Sequence, residues 1–321
     1  MTAPDKAPRP GSARGNVPVP PKVTRAQKAA AEKTASVLVE ALPYIRRFWG
    51  KIVVVKYGGN ALTAAAGLGA GSGGGAGALA SFAQDVVLMR AVGMLPVVVH
   101  GGGPQIGDLM TRLGKETEFR NGLRVTDADT LDIARMVLVG KVNRDIVSAI
   151  NVHGPLAVGM SGEDAKLITA APSHVDLGFV GNVSLVDPTM LQRLVAEGLI
   201  PVVATIGADE SGQAYNINAD TVAGALAEAL RAEKLIFLTD TEGLRVVADD
   251  PRTVIHQASL EVIDEIVRSG GARGGMMPKV EACARAVRGG VARAHILDGR
   301  VPHALLLELL TDSGVGTMVM P

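Results

Sequence analysis

Residues Lys51–Asn60 read KIVVVKYGGN, and residues Pro96–Gln105 read PVVVHGGGPQ. Each is a short β-branched run that ends on glycines, and the second leads into a proline suited to the first turn of a helix. Four further runs of this kind follow: LAVGMS from Leu156, PVVATI from Pro201, KLIFLT from Lys234 and RAHILD from Arg293. Stretches with helical periodicity separate them, among them Asp129–Asn151 and Asp220–Lys234. Alternating strand and helix predicts an α/β fold, a three-layer sandwich around a largely parallel central sheet with helices on both faces.

In such sheets ligands gather beyond the carboxyl ends of the strands. The glycines and small polar residues cluster there: Gly58 and Gly59, Gly101 to Gly103, Gly159 with Ser161 and Gly162, Gly207, and Thr239 with Asp240. A glycine turn between strand and helix lets backbone N–H groups approach a phosphate, and the helix N-terminus adds its positive end. Ordinary packing also uses such turns. No G-x-x-x-x-G-K-[ST] occurs, and GGGPQIG does not match the dinucleotide pattern G-x-G-x-x-G.

Composition narrows the functions available. With 321 residues and 47% hydrophobic side chains, the chain can bury a sizeable core. Lys plus Arg equals Asp plus Glu at 32 each, so no net field draws it to nucleic acid or an anionic membrane, and any anion must be held by a local site. The single cysteine, Cys283, excludes an intramolecular disulfide and a cysteine-built metal site and fits a reducing, cytoplasmic setting. No apolar run is long enough to span a bilayer, so no membrane partner is expected.

Residues 1–23 are Pro-rich and read as a disordered tail without the apolar centre of a secretory signal. Residues 24–49 read as a helix with a kink at Pro43, its later half apolar through Val37, Val39, Leu42, Tyr44, Ile45 and Phe48. Such a helix covers its own sheet or reaches a neighbouring subunit. The glycine and alanine insert Ala64–Gly77 reads as a flexible surface loop.

Lys56 lies inside an apolar strand, where an ammonium needs an anion or a carboxylate partner. A second lysine, Lys279, follows glycines near the start of a helical stretch. Asn216, Asn218 and Asp220 precede another helix, where Asp220 is a candidate first-turn residue.

Taken together, VKYGGNAL, VVVHGGGPQI, FRNGLRVTDADTLDIARMVLVGKVN, YNINADTVAGALA, LTDTEGL and GGMMPKVEACARAVRGGV resemble the amino-acid kinase family. Within it they resemble the branch that phosphorylates N-acetyl-L-glutamate with ATP in arginine biosynthesis. The likeness runs from about Leu38 to Met320; the Gly/Ala insert and Pro-rich tail depart from it. It implies ATP with Mg²⁺ held mainly by nucleotide phosphates, and no metal ligands from the chain. It also implies that Lys56 and Lys279 stabilise the transferring phosphoryl group while Asp220 orients them. Gly58, Gly59 and Gly101 would offer N–H groups to phosphate, and Gly102, Gly103, Arg124 and Asn216 would hold the substrate. Asp240 and Gly243 would line the nucleotide pocket.

The arginine-inhibited members resemble this chain at both ends, in LVEALPYIRRFWGK and HILDGRVPHALLLELLTDSGVGTM. His295, Glu308 and Gly314 fall on their effector positions, and their N-terminal helices join dimers into a hexamer, a trimer of dimers. The implied division is an oligomerisation and regulatory helix over 24–49, a substrate lobe over 50–228, and a nucleotide lobe over 229–321 that carries the arginine site. A sibling kinase acting on aspartate, glutamate or aminoadipate, and a non-catalytic arginine sensor, are the alternatives. Lys56, Lys279 and Asp220 are all present, which goes against the sensor.

Overall fold

A computed structural model describes residues 24–58, 74–120, 122–173, 176–245, 250–271, 275–312 and 314–321. The chain divides into two compact units, Met1–Leu42 and Pro43–Pro321. Helix α1 spans Arg25–Phe48, and its residues up to Leu42 make up most of the described part of the first unit. It opens on a reciprocal cap: the Thr24 N–H donates to Gln27 Oε1 at 2.9 Å and the Gln27 N–H to Thr24 Oγ1 at 3.2 Å. Val37, Leu38, Val39 and Leu42 are exposed.

In the second unit the described strands form an eight-stranded sheet in the order β12-β14-β13-β11-β1-β2-β8-β5. The strands are β1 (Ile52–Tyr57), β2 (Leu95–His100), β5 (Ala157–Ser161), β8 (Ile200–Ala204), β11 (Lys234–Thr239), β12 (Gln257–Ser259), β13 (Arg293–Asp298) and β14 (Gly316–Met320). The six runs read from the sequence are its parallel body. Two strands outside those six runs complete the sheet: β14, which runs antiparallel to β13, and β12, which runs parallel to β14. Val53, Val54 and Val55 are fully buried because each face of this sheet is covered.

Alternation along β1 sorts its side chains between two cores. Val53, Val55 and Tyr57 join one core with helices α2 (Gly74–Ala91), α3 (Gly103–Arg112), α4 (Ala128–Arg135) and α5 (Asn143–Asn151). Val54 joins the other, with α6 (Thr189–Ala196), α7 (Ala219–Ala229), α8 (Leu260–Ser269) and α9 (Met276–Arg288). Lys56 follows Val54 onto that second face. Between α4 and α5 the helical run is carried by a π-helical stretch, Met136–Val142, where the sequence reads as plain helix.

Four short strands, β6 (Ile168–Pro172), β7 (Val180–Val186), β9 (Ile206–Ala208) and β10 (Ala214–Ile217), close into a small barrel, and β3 (Phe119–Arg120) pairs with β4 (Leu123–Arg124) as a hairpin. Neither was expected from the sequence. The last helix, α10 (Ala304–Leu310), starts at His303, which holds a left-handed φ of 57° and whose Nδ1 lies 2.5 Å from the buried Asp85 carboxylate on α2.

Candidate active site

Asp220 occupies the first turn of α7, capped by Asn218, whose Oδ1 accepts from the Asp220 N–H at 2.8 Å. Two ammonium groups converge on its carboxylate: Lys56 Nζ lies 2.8 Å from Oδ1, and Lys279 Nζ donates to Oδ2 at 3.0 Å. Lys279 also donates to the Gly275 carbonyl at 3.0 Å, which steadies it over the first turn of α9. Burial pushes the Asp220 carboxyl up; the charges of Lys56 and Lys279 outweigh that effect and hold it below its ordinary value. The result is a carboxylate shared by two cations, with one more positive charge than negative. Such a group attracts an anion that can lie against both lysines.

Gly58 is placed where a Cβ would stand 2.8 Å from Lys56 Nζ, so glycine there leaves the ammonium its room. Gly59 lies outside the described residues. At the end of the neighbouring strand, a Cβ on Gly101 would meet Ala219 Cβ at 3.2 Å, which sets the second glycine turn against the start of α7. Gly102 caps α3 and passes against Leu138 of the π-helical stretch, where a Cβ would stand 2.8 Å from Cδ2; Gly103 has open space.

The next turn brings in Arg124. Its guanidinium is buried, donating to the Gly103 carbonyl at 2.7 Å, to Thr117 Oγ1 at 3.1 Å and to Met110 Sδ at 3.3 Å, with the Phe119 ring 4.8 Å away. Burial lowers its pKa. No carboxylate among the described residues pairs with it, so a buried cation lies beside the glycine turn with neutral partners alone. Asn216 lies on β10, four residues before Asp220, and its side-chain amide makes no hydrogen bond among the described residues. Thus Lys56, Gly58, Gly101, Gly102, Gly103, Arg124, Asp220 and Lys279 are linked by successive contacts. Asp240 follows the end of β11 and accepts from Thr239 Oγ1 at 3.2 Å. Gly243 has φ 145°, and a Cβ there would stand 2.6 Å from Thr317 Oγ1, so packing against β14 requires glycine at this position.

Two residues not singled out from the sequence support the second glycine turn. His100, the last residue of β2, is fully buried; its Nδ1 lies 3.0 Å from the Gly101 carbonyl and its Nε2 3.1 Å from Asn143 Nδ2. The available signal was a lone imidazole ending an apolar strand.

A second cluster lies away from this site, in the same unit. Glu308 on α10 has its carboxylate 2.9 Å from His295 Nδ1 and 3.6 Å from Lys234 Nζ, and accepts from the Val315 N–H at 3.3 Å. Burial raises the Glu308 carboxyl, but the His295 and Lys234 neighbours bring it below its usual value, while burial lowers both His295 and Lys234. A cavity of about 270 Å³ opens beside them, lined by Tyr44, Phe48, Lys234, Glu308, Asp312 and Gly314, among others. Lys234 was not picked out from the sequence. Among the described residues no group of three His, Cys, Asp or Glu side chains is placed to hold a metal ion, and no helix is long and apolar enough to cross a membrane.

Residues 51–298 match the Amino acid kinase family, and the chain belongs to it. It is 52% identical over 295 residues to the acetylglutamate kinase of Symbiobacterium thermophilum, covering 89% of this chain and 97% of that one. It is 51% identical over 292 residues to that of Nostoc sp., covering 90% and 95%. These relatives make the chain an enzyme of the kinase class, of the acetylglutamate kinase type. Among solved structures it is similar to N-acetylglutamate synthase from Neisseria gonorrhoeae, complexed with coenzyme A and N-acetyl-glutamate (27% identity, TM-score 0.76, covering 89% of this chain), and spans 63% of that synthase. The same synthase complexed with coenzyme A and L-arginine matches at 25% identity and TM-score 0.71, over 89% of this chain and 65% of that one. Carbamate kinase from Giardia lamblia shares the fold at 18% identity and TM-score 0.60, over 84% of this chain and 98% of that one.

Proposed function

We propose that the protein transfers the γ-phosphoryl group of ATP to the side-chain carboxylate of N-acetyl-L-glutamate, giving N-acetyl-L-glutamyl 5-phosphate and ADP. The observation that carries this reading is the convergence of Lys56 and Lys279 on Asp220. A carboxyl group of this kind titrates near ~4.3, so the acceptor is already ionised at neutral pH and needs no general base. The difficulty is joining two anions and spreading charge over the moving phosphoryl group, which calls for positioned cations and N–H groups.

As a carboxylate oxygen forms its bond to the γ-phosphorus, the bond from that phosphorus to the bridging oxygen breaks and the electron pair leaves on ADP. Lys56 sits against the transferring group, Lys279 against the departing diphosphate, and Asp220 holds their ammonium groups at a fixed separation. Arg124 grips the substrate α-carboxylate and Asn216 its acetylamino end, while Gly58, Gly59 and Gly101 offer N–H groups to the phosphates, with Gly102 and Gly103 nearer the substrate. Asp240 and Gly243 border the nucleotide. Two ammonium groups and a glycine turn suit a polyphosphate, and a divalent ion such as Mg²⁺, held by phosphate oxygens and water, supplies further charge neutralisation when bound. Residues 50–228 then act as the substrate lobe and residues 229–321 as the nucleotide lobe. A cytoplasmic setting goes with these substrates.

Feedback inhibition by L-arginine belongs to the same reading. The nearly buried Glu308 carboxylate, beside Gly314 and His295 at the edge of the cavity, suits a guanidinium. The exposed apolar residues of α1 support assembly through that helix into a hexamer, a trimer of dimers.

An assay of ADP release with hydroxylamine trapping of the acyl phosphate, run on N-acetyl-L-glutamate, L-glutamate and L-aspartate with and without L-arginine, tests substrate and regulation together. Turnover of the acetylated substrate alone, suppressed by arginine, is expected. Turnover of a free amino acid instead would overturn the substrate assignment. A dimer by light scattering and indifference to millimolar arginine would overturn the regulatory one.

A further inference from the structure

The buried His100 imidazole has no role in the chemistry described so far, and its surroundings permit only one arrangement of protons. Its Nδ1 faces the Gly101 carbonyl, which can only accept, so Nδ1 carries the hydrogen. Asn143 Nδ2 faces His100 Nε2 and also donates to the Val202 carbonyl at 2.8 Å, while Asn143 Oδ1 accepts from the Arg144 guanidinium. Turning the Asn143 amide over would set its NH₂ against Arg144 and its oxygen against Val202. The amide therefore presents a hydrogen to Nε2, and the ring is the neutral Nδ1–H tautomer. Gly159 on β5 has no side chain where a Cβ would collide with both Asn143 and Arg144, so this support is closely packed from behind.

The direction of the bond matters for the site. His100 follows Val98 onto the face of the sheet that carries α5, whereas Lys56 lies on the opposite face with α7. No cis peptide bond occurs among the described residues, and in a planar trans peptide the C=O and the following N–H point in opposite directions. A Gly101 carbonyl drawn toward the His100 ring turns the Gly102 N–H away from that ring, to the side where Gly101 meets Ala219 and where Asp220 holds the two lysines.

We propose that His100 is a positioning residue for phosphoryl transfer: through its Nδ1–H it fixes the Gly101–Gly102 peptide so that the Gly102 N–H faces the phosphoryl group, and Asn143 keeps the ring in the tautomer that does this. The inference rests on the phosphoryl-transfer reading above. It adds a preorganised donor whose orientation is set from the far face of the sheet.

Three variants and one spectrum test it. His100→Asn keeps an amide N–H where Nδ1 stands, His100→Gln moves the amide toward the Nε2 position, and His100→Leu removes both. The expected order of kcat is wild type, Asn, then Gln and Leu, with Leu lower than wild type by about 100-fold, the scale for one lost preorganised donor. KM for the acceptor should stay within about threefold, since the donor acts on the moving group. A purely structural role would lower the melting temperatures without separating Asn from Gln in kcat. Equal kcat for Asn and Gln, or a folded Leu variant within about threefold of wild type, overturns the proposal. Should the Leu variant not fold, the Asn and Gln pair decides. Nitrogen-15 NMR of the wild-type imidazoles at neutral pH is expected to show His100 protonated at Nδ1 and bare at Nε2; the opposite tautomer overturns the proposal. Wild-type enzyme that turns over no N-acetyl-L-glutamate removes the proposed function instead, a result distinct from any of these.

Discussion

A Cβ on Gly58 would stand 2.8 Å from the Lys56 ammonium, so the absence of a side chain at one position sets where the charge of its near neighbour can lie. Lys56 Nζ is the free end of a flexible chain and can move, so Gly58→Ala should leave the melting temperature almost unchanged. The ammonium shifts but stays within ion-pair reach of Asp220, so its charge remains paired while its aim at the moving group changes. A fall in kcat of about 100-fold is expected, the scale of a 1 Å misplacement at a reacting centre. Steady-state kinetics beside thermal melts check both halves.

Replacing Lys279 and replacing the shared carboxylate itself should distinguish a loss of chemistry alone from a loss of chemistry and folding together. Lys279 Nζ contacts Asp220 Oδ2 at 3.0 Å and is assigned to the departing diphosphate. Lys279→Ala is expected to lower kcat by about 1000-fold with a modest change in KM. Asp220→Asn leaves two partly buried ammonium groups without a counter-charge and should cost about 3–5 kcal/mol of stability as well as activity. Urea unfolding of the two variants would show a large loss only for Asp220→Asn.

Arg124 binds by a planar fork of donors, three of whose contacts already go to Gly103, Thr117 and Met110. Lysine keeps the charge but loses the fork. Arg124→Lys should raise KM for N-acetyl-L-glutamate by about 10- to 100-fold and leave KM for ATP nearly as it was. An equal effect on both substrates would move Arg124 out of the acceptor pocket.

Burial lowers the His100 imidazole from 6.5 to about 4, with the nearby Arg144 charge adding to it and the hydrogen bond to Gly101 opposing it. Between those two values the unfolded chain binds a proton there and the folded protein does not. Stability is therefore fully present above pH 6.5 and is lost as the pH falls toward 4, by about 3 kcal/mol from this residue. Burial lowers His295 too, so it contributes in the same direction. Unfolding free energies at pH 7 and pH 4 should differ less in His100→Gln than in wild type.

Glu308 is remote from the phosphoryl site and anchors the second cluster through His295, Lys234 and the Val315 N–H. Glu308→Gln should leave the uninhibited rate close to wild type while raising the arginine concentration for half-inhibition by more than about tenfold, the loss expected for a charge-assisted pair. Inhibition curves measured at saturating substrate distinguish this from a general loss of activity.

Much of this protein is legible locally. Apolar β-branched runs and helical periodicity are properties of neighbouring residues, and they suffice for the parallel body of the sheet, for the glycine turns at its strand ends, and for Lys56 as a charge that an apolar strand must explain. Two barrel strands escape such reading because they are partly exposed and irregular: Val180–Val186 alternates poorly, and a register shift interrupts its pairing with Ile168–Pro172. The other two, of three and four residues, are too short to show a pattern. Strand β12 is a three-residue edge element, and β14 beside it is placed by pairing with β12 and β13 rather than by any local pattern. The sequence by itself determined the layered α/β class and the residue types available for phosphoryl chemistry. Only the tertiary structure decided that Lys56, Asp220 and Lys279 meet, because β1 lies between β11 and β2 while α7 and α9 pack on the face Lys56 occupies. It also decided that His100 points away from that face toward Asn143, because side chains along a strand alternate between faces and the neighbours on each face come from elsewhere in the chain.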